Sequence, residues 1–157
     1  METLKNIYFI GIGGIGMSGL ARLFLHEGVH VSGSDATEST LTQALEKEGA
    51  DISYIQEALN ISSRSELELV VYTEAISQDN PELEEARKKG IKTVNYFEAL
   101  GMIANEYYLI AVSGTHGKTT TTAMLIDILE EASFDPSAIV GSLRSKTGSN
   151  YRAGKSK

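Results

Sequence analysis

A chain of 157 residues with 41% hydrophobic and 22% charged side chains has the composition of one globular domain, or of a small domain and part of another. Its formal net charge of -7 argues against nucleic acid as the main partner, which calls for a basic face, but not against nucleotides, whose phosphates need only local N–H groups and one or two cations. Zero cysteines exclude disulfides and thiolate metal sites and fit a reducing cytoplasm; Met1 to Asn6 lacks the apolar core of a signal peptide, and no run approaches transmembrane length, so no membrane partner is expected.

The first element, Ile7-Tyr8-Phe9-Ile10, is a short apolar strand that runs into Gly11-Ile12-Gly13-Gly14-Ile15-Gly16. Met17 to Glu27 follows with a helical stripe of Met17, Leu20, Ala21, Phe24 and Leu25, and Gly28 ends it. Val29-His30-Val31 opens a second strand that finishes at Ser32-Gly33-Ser34-Asp35. Strand, G-x-G-x-x-G turn, helix and a strand closed by an acid form a βαβ opening. In the functional reading the loop approaches a diphosphate and Asp35 meets a ribose or base. The alternative is that the glycines serve only tight helix–sheet packing.

The alternation continues with a helix over Thr40–Glu48, a short strand over Asp51–Ile55 and a buried strand over Leu67–Thr73 that turns at Glu74-Ala75-Ile76-Ser77. Asn80 is placed to cap the next helix, with Pro81 at its first position, and the helix runs to Lys89 before Gly90. Glu82, Glu84 and Glu85 near its start and Arg87, Lys88 and Lys89 near its end match the helix dipole and read as a solvated face. A fifth strand, Lys92-Thr93-Val94, and a helix over Phe97–Ala104 complete the unit. This predicts a parallel-sheet, Rossmann-like α/β domain over residues 1–104.

A second unit, residues 105–157, starts with Leu109-Ile110-Ala111-Val112, an apolar run that predicts a fully buried strand. It breaks at Gly114-Thr115-His116-Gly117-Lys118-Thr119 and resumes as a helix over Thr120–Glu131. Strand, glycine loop ending in Lys-Thr, and helix is the P-loop arrangement that cradles phosphates, although the glycine usual five residues before Gly117 is Val112 here. Lys118 would reach the β/γ-phosphates and the Thr119 hydroxyl would sit on Mg²⁺, with Thr120 at the helix end touching phosphate. A Phe134-Asp135-Pro136 turn, a possible strand at Ala138-Ile139-Val140 and a Gly/Ser-rich tail holding Arg144, Lys146, Arg152, Lys155 and Lys157 follow. A phosphate-transfer site also needs a carboxylate for its metal, commonly at a strand end. Asp127, Glu130, Glu131 and Asp135 all lie on the helix or the turn after it. The unit therefore reads as the opening of an incomplete second α/β domain.

Two glycine loops separated by one α/β domain resemble the Mur ligases of peptidoglycan synthesis. The residues that carry the resemblance are Phe9 to Ala21 (FIGIGGIGMSGLA), Val31 to Asp35 (VSGSD) and Ser113 to Thr122 (SGTHGKTTTT). The resemblance implies three domains, for the UDP end of the substrate, for ATP and for the incoming amino acid, of which only the first is complete here. It implies that the first loop grips a UDP-sugar and not NAD, through Gly11, Gly13, Gly14, Gly16, Met17, Ser18, Ser34 and Asp35, with Asp35 meeting uridine. It also implies an ATP- and Mg²⁺-dependent joining of L-alanine to UDP-N-acetylmuramate through an acyl phosphate. ATP would lie against Gly114, Thr115, His116, Gly117, Lys118, Thr119 and Thr120, with Lys118, Thr119 and His116 catalytic; His116 is equally readable as a polar loop residue. The chain alone is expected to lack ligase activity. Competing readings are a recycling ligase that joins a whole peptide to UDP-N-acetylmuramate, an NAD-dependent oxidoreductase built on the first loop and Asp35, and a nucleotide-binding module.

Overall fold

Successive side chains of a strand point to opposite faces, and in β1 (Asn6–Ile10) both faces are apolar. Ile7 and Phe9 enter one hydrophobic cluster, Tyr8 and Ile10 another, and all four have no exposed surface. A strand buried on both sides must be central, with helices above and below. The computed structural model, which describes residues 4–155, shows that arrangement; Lys157 of the tail lies outside the described residues. Five parallel strands stand in the order β3-β2-β1-β4-β5, where β2 is His30–Ser34, β3 Asp51–Ser53, β4 Leu69–Tyr72 and β5 Lys92–Asn95. On one face pack α1 (Ile15–His26), α2 (Thr40–Lys47) and α5 (Tyr96–Ala104), contributing among others Leu20, Phe24, Leu45 and Ile103. On the other lie α3 (Leu59–Ser62) and α4 (Pro81–Lys88), with Ile61, Leu83 and Ala86.

The predicted α/β class holds, with local corrections. β3 stops at Ser53, and Ile55 stands 68% exposed where the strand was expected to continue. The one-turn α3 is too short to leave a periodic signal. Glu82, expected on a solvated face, is fully buried.

The largest departure is the expected strand at Leu109–Val112. Residues 108–113 carry no regular structure, and Tyr108, Leu109 and Ile110 are 87%, 59% and 53% exposed. An apolar run becomes a strand only when a neighbour supplies its ladder, and none of the described strands pairs with this one. α6 (Lys118–Glu131) begins two residues earlier than expected and buries only Ile126, leaving Met124 and Ile128 more than 60% exposed.

The tail forms a short antiparallel hairpin of β6 (Ala138–Ile139) and β7 (Tyr151–Arg152). Its cations answer the acids of α6 and the following turn: Arg144 pairs with Asp127 at 2.8 Å, and Arg152 with Glu130 at 2.7 Å and Asp135 at 2.8 Å. On its other side the hairpin meets α1. The Asn150 amide donates to the Ser18 hydroxyl at 2.9 Å and to the Ile15 carbonyl, while Arg22 donates to the Asn150 carbonyl oxygen. A Cβ on Gly19 would stand 2.9 Å from the Ile139 side chain, which explains a glycine in mid-helix.

Hydrogen bonds from Arg152 hold the carboxyls of Glu130 and Asp135 below their ordinary values. A carboxyl whose folded pKa is depressed stabilises above its unfolded pKa and loses that contribution as pH falls through the folded one. The β6–β7 contacts are therefore expected to loosen below about pH 4. Hydrogen-exchange protection factors of the hairpin amides should fall there before those of β1 and β4; uniform loss across both regions would contradict this.

Candidate functional site: two glycine cradles

In the sheet, the chain reverses direction of travel between β1 and β4, and open α/β sheets bind ligands in the crevice outside the strand ends at such a point. A cleft of about 670 Å³ lies there, with the Gly11–Gly14 loop and Asp35 on one side and Thr73, Ser77 and Asn80 on the other. Gly11 has φ +81° and donates its N–H to the Ser34 carbonyl at 2.8 Å, so the chain turns sharply as it leaves β1. A side chain there would also meet the Thr73 methyl at 2.5 Å. The Gly13 N–H donates to the Asp35 carboxylate at 2.8 Å, and the Thr37 N–H donates to the same group at 3.2 Å. Asp35 thus braces the loop from the end of β2. Gly16 lies under the Tyr96 ring, 2.8 Å from where a Cβ would sit. Packing accounts for these glycines as much as ligand approach does.

Gly11, Gly13, Gly14 and Asp35 line the cleft, as the sequence motif suggests, and Gly16 lies in the first turn of α1. Met17, Ser18 and Ser34 are buried and turned elsewhere. Met17 belongs to the core cluster, and Ser18 donates to the Ile15 carbonyl and accepts from Asn150. Ser34 donates to the Glu82 carboxylate at 2.5 Å. Met17 and Ser18 follow the glycine loop and Ser34 precedes Asp35, but none lines the cleft: the Met17 side chain packs beneath Gly14, and the two serine hydroxyls are bonded elsewhere. Sequence reasoning missed Gln56, Thr73 and Asn80 as cleft residues. For Thr73 and Asn80 the signal available was topological: whichever strand lies beside β1 across the reversal must contribute its following loop; Gln56, which follows β3, left no such signal.

Beneath the cleft, Glu82 accepts from Tyr8 at 2.7 Å, Ser34 at 2.5 Å and Asn60 at 2.6 Å. Burial, reinforced by the adjacent Glu82 carboxylate, raises the Tyr8 hydroxyl well above its ordinary pKa.

The second cradle precedes α6. Gly114 and Gly117 have φ +151° and +79°, and Gly117 caps α6 in the left-handed region. Gly114 to Lys118 and Thr120 are exposed and Thr119 is half-buried, so the loop's backbone is open to solvent. Lys118 Nζ donates to the Gly114 carbonyl at 2.6 Å, which lays the ammonium across the loop. A Cβ on Gly141 would come within 3.4 Å of the Thr119 hydroxyl. His116 is an exposed loop residue.

Among the helices of two turns or more, the N-terminal ends set the two loops apart; the one-turn α3 also lacks a side-chain cap but follows no glycine loop. α2, α4 and α5 carry side-chain caps from Ser39, Asn80 and Asn95. α1 and α6 start at Gly14 and Gly117 with no side-chain cap. Their first N–H groups lack intrahelical partners and can face an anion. Among the described residues no cluster of three His, Cys, Asp or Glu could hold a metal ion, and no helix is long and apolar enough to cross a membrane.

The family model "Mur ligase family, catalytic domain" matches residues 6–108. The chain is 46% identical over 157 residues to a UDP-N-acetylmuramate–L-alanine ligase of Clostridium tetani, covering 99% of this chain and 34% of that protein. It is 49% identical over 152 residues to the ligase of the same name from Agathobacter rectalis, covering 96% and 33%. The crystal structure of UDP-N-acetylmuramate–alanine ligase from Thermotoga maritima superposes with a TM-score of 0.86 at 34% identity, covering 95% of this chain and 35% of that one. A UDP-N-acetylmuramate:L-alanyl-gamma-D-glutamyl-meso-diaminopimelate ligase from Neisseria meningitides gives 0.88 at 28% identity, covering 97% and 47%. This chain spans about a third of the length of the curated relatives. With a family model matched over more than half its length and its five-stranded sheet shared with these ligases, the chain belongs to the Mur ligase family.

Proposed function

We propose that this chain supplies the nucleotide-holding part of a cytoplasmic ligase that joins L-alanine to UDP-N-acetylmuramate at the expense of ATP. The observation that carries the reading is the pair of uncapped helix N-termini, α1 and α6, each behind a glycine loop. In this reading residues 1–104 take the UDP-sugar and residues 105–157 open the ATP-binding domain. Among the solved structures the chain is 34% identical to the alanine ligase and 28% to the peptide ligase, and the curated relatives at 46–49% identity are alanine ligases, which favours alanine over a whole peptide as the acceptor. Lys118 and its loop, which an NAD-dependent oxidoreductase would leave without a role, favour the ligase over that alternative.

Amide formation from a carboxylate needs its oxygen converted to a leaving group, so two anions, carboxylate and triphosphate, must meet. The residues at hand answer that repulsion. The amides of Gly114 to Thr119 would hold phosphate oxygens, and the Lys118 ammonium would neutralise charge on the β/γ-phosphates. The Thr119 hydroxyl and the open loop fit Mg²⁺ bound with ATP; the ion supplies charge neutralisation at the transferring phosphoryl group. Among the described residues of the second unit, Asp127, Glu130 and Asp135 are paired with Arg144, Lys146 and Arg152, and no cluster of three His, Cys, Asp or Glu could hold the metal. The chain by itself should therefore bind UDP-N-acetylmuramate without turning over.

Calorimetry with UDP-N-acetylmuramate and, separately, NADH, beside a phosphate-release assay with ATP and L-alanine, tests this. The expected result is binding of the UDP-sugar, none of NADH, and no phosphate release. NADH binding in place of the UDP-sugar would overturn the reading.

A further inference from the structure

Glu82 is a glutamate with no exposed surface, on which three neutral side chains from three other elements converge. Burying a carboxylate without a cation beside it is costly, and an apolar side chain would fill the same space more cheaply. What the carboxylate provides is direction. Three donors share its two oxygens, so it acts only as an acceptor.

Ser34 spends its single proton on Glu82 at 2.5 Å, and must therefore accept from Gln56 Nε2, which lies 3.3 Å away. From the other end, Asn80 Oδ1 accepts from the Glu82 and Leu83 N–H groups at 3.0 and 3.3 Å, which leaves its Nδ2 to donate to Gln56 Oε1 at 3.0 Å. Both ends impose the same orientation on the Gln56 amide. A second tie reaches the backbone beside it: Asn60 donates to Glu82 and to the Ile55 carbonyl, each at 2.6 Å. Gln56 and Asn80 both line the cleft. Each primary amide has two N–H groups, so one on each remains for a ligand.

We propose that Glu82 is a positioning residue for the cleft, fixing through Ser34 the amide orientation of Gln56, whose other end meets the N-cap Asn80, toward a bound nucleoside diphosphate. This rests on the reading of the cleft as a nucleotide site. A glutamine at position 82 would turn an N–H toward Ser34 and let Ser34 donate to Gln56 instead, so that Gln56 would face a donor at both ends and lose one of the two hydrogen bonds that hold its amide. Tyr8 touches the same carboxylate and stands beside Ser34, but its hydroxyl bonds neither Gln56 nor Asn80.

The test combines UDP titration with the side-chain amide NMR spectrum of the chain. Glu82→Gln should lower UDP affinity about three- to tenfold, and Gln56→Ala by a similar factor. In the Gln56→Ala background Glu82→Gln should have no further effect, because the two act in series. Tyr8→Phe should lower thermal stability and leave UDP affinity within about twofold. In the free protein, the Gln56 amide protons should lose protection in Glu82→Gln. Should that variant fail to fold, Ser34→Ala cuts the next link and should give the same signature. Equal losses of UDP affinity from Glu82→Gln with and without Gln56, or an unchanged Gln56 amide spectrum, would overturn the proposal. If the parent does not bind UDP, the nucleotide reading fails, and the amide spectrum still decides whether Glu82 orients Gln56.

Discussion

Lys118→Ala is expected to weaken binding of ATP to this chain by about 10- to 100-fold and to leave UDP binding unchanged within about twofold. A hydrogen bond to a charged group is worth roughly 1.5–3 kcal/mol, and a lysine on a triphosphate adds its full charge to that contact. The ammonium already lies across the loop, donating to the Gly114 carbonyl at 2.6 Å, so little reorganisation separates it from a phosphate held there. The fold should tolerate the change because the side chain is exposed. Lys118→Arg would keep the charge but replace a compact ammonium with a planar fork too large for a loop closed by Gly114 and Gly117, and should rescue only in part. Calorimetry with ATP and with UDP on parent and variants reads both affinities. Unchanged ATP binding would remove Lys118 from the site, and parallel loss of both ligands would mean that the variant damages the fold.

In the five-stranded sheet, a large effect on stability is expected at Gly33. It lies in β2, opposite Phe9 of β1, and a Cβ built there would stand 2.6 Å from the Phe9 carbonyl oxygen and 3.0 Å from the Ile12 side chain. The first neighbour is backbone in a central strand and has nowhere to move. Gly33→Ala should therefore destabilise by about 1–3 kcal/mol or more, lowering Tm by roughly 3–10 °C. Gly101 in α5 is the contrasting case, since a Cβ there meets nothing within 4 Å. Gly101→Ala should stabilise by about 0.5–1 kcal/mol, the ordinary gain from removing a mid-helix glycine. Thermal melts of the two variants should move in opposite directions. A Gly33→Ala protein as stable as its parent would show that β1 and β2 are not packed as described.

The β1–α1–β2 opening was legible because three independent signals agree over thirty residues: a two-sided apolar run, a helical stripe and a glycine turn between them. The helix capped by Asn80 likewise carries its instructions within a few residues. What escaped was set by distant partners. Glu82 reads as a favourable charge at a helix start whether buried or not, and its donors lie 74, 48 and 22 residues away. The run at 109–112 carries the apolar composition of a strand but no partner, and pairing is a property of the neighbour as much as of the segment. In the site, glycine positions were readable because the backbone demands them. Ser18 and Ser34 stand outside the cleft lining because adjacency in sequence does not fix the face on which a side chain emerges.

The tail shows the same limit from the opposite side. Arg144, Arg152 and Lys146 look like an unbalanced basic segment until α6 and the following turn bring Asp127, Glu130 and Asp135 against them. The hairpin then rests on α1 through Asn150 and Ile139, so the element behind the first glycine loop supports the strands that follow the second.

The account stands on two separate anion cradles in one chain. Backbone amide NMR during titration with UDP-N-acetylmuramate, followed by ATP with Mg²⁺, tests it most directly. The sugar nucleotide should shift the amides of Gly11 to Gly16 and of Thr73 to Ser77, and ATP should then shift those of Gly114 to Thr120 as a second set. Both ligands perturbing one common set, or the sugar nucleotide leaving Gly11 to Gly16 untouched, would contradict it.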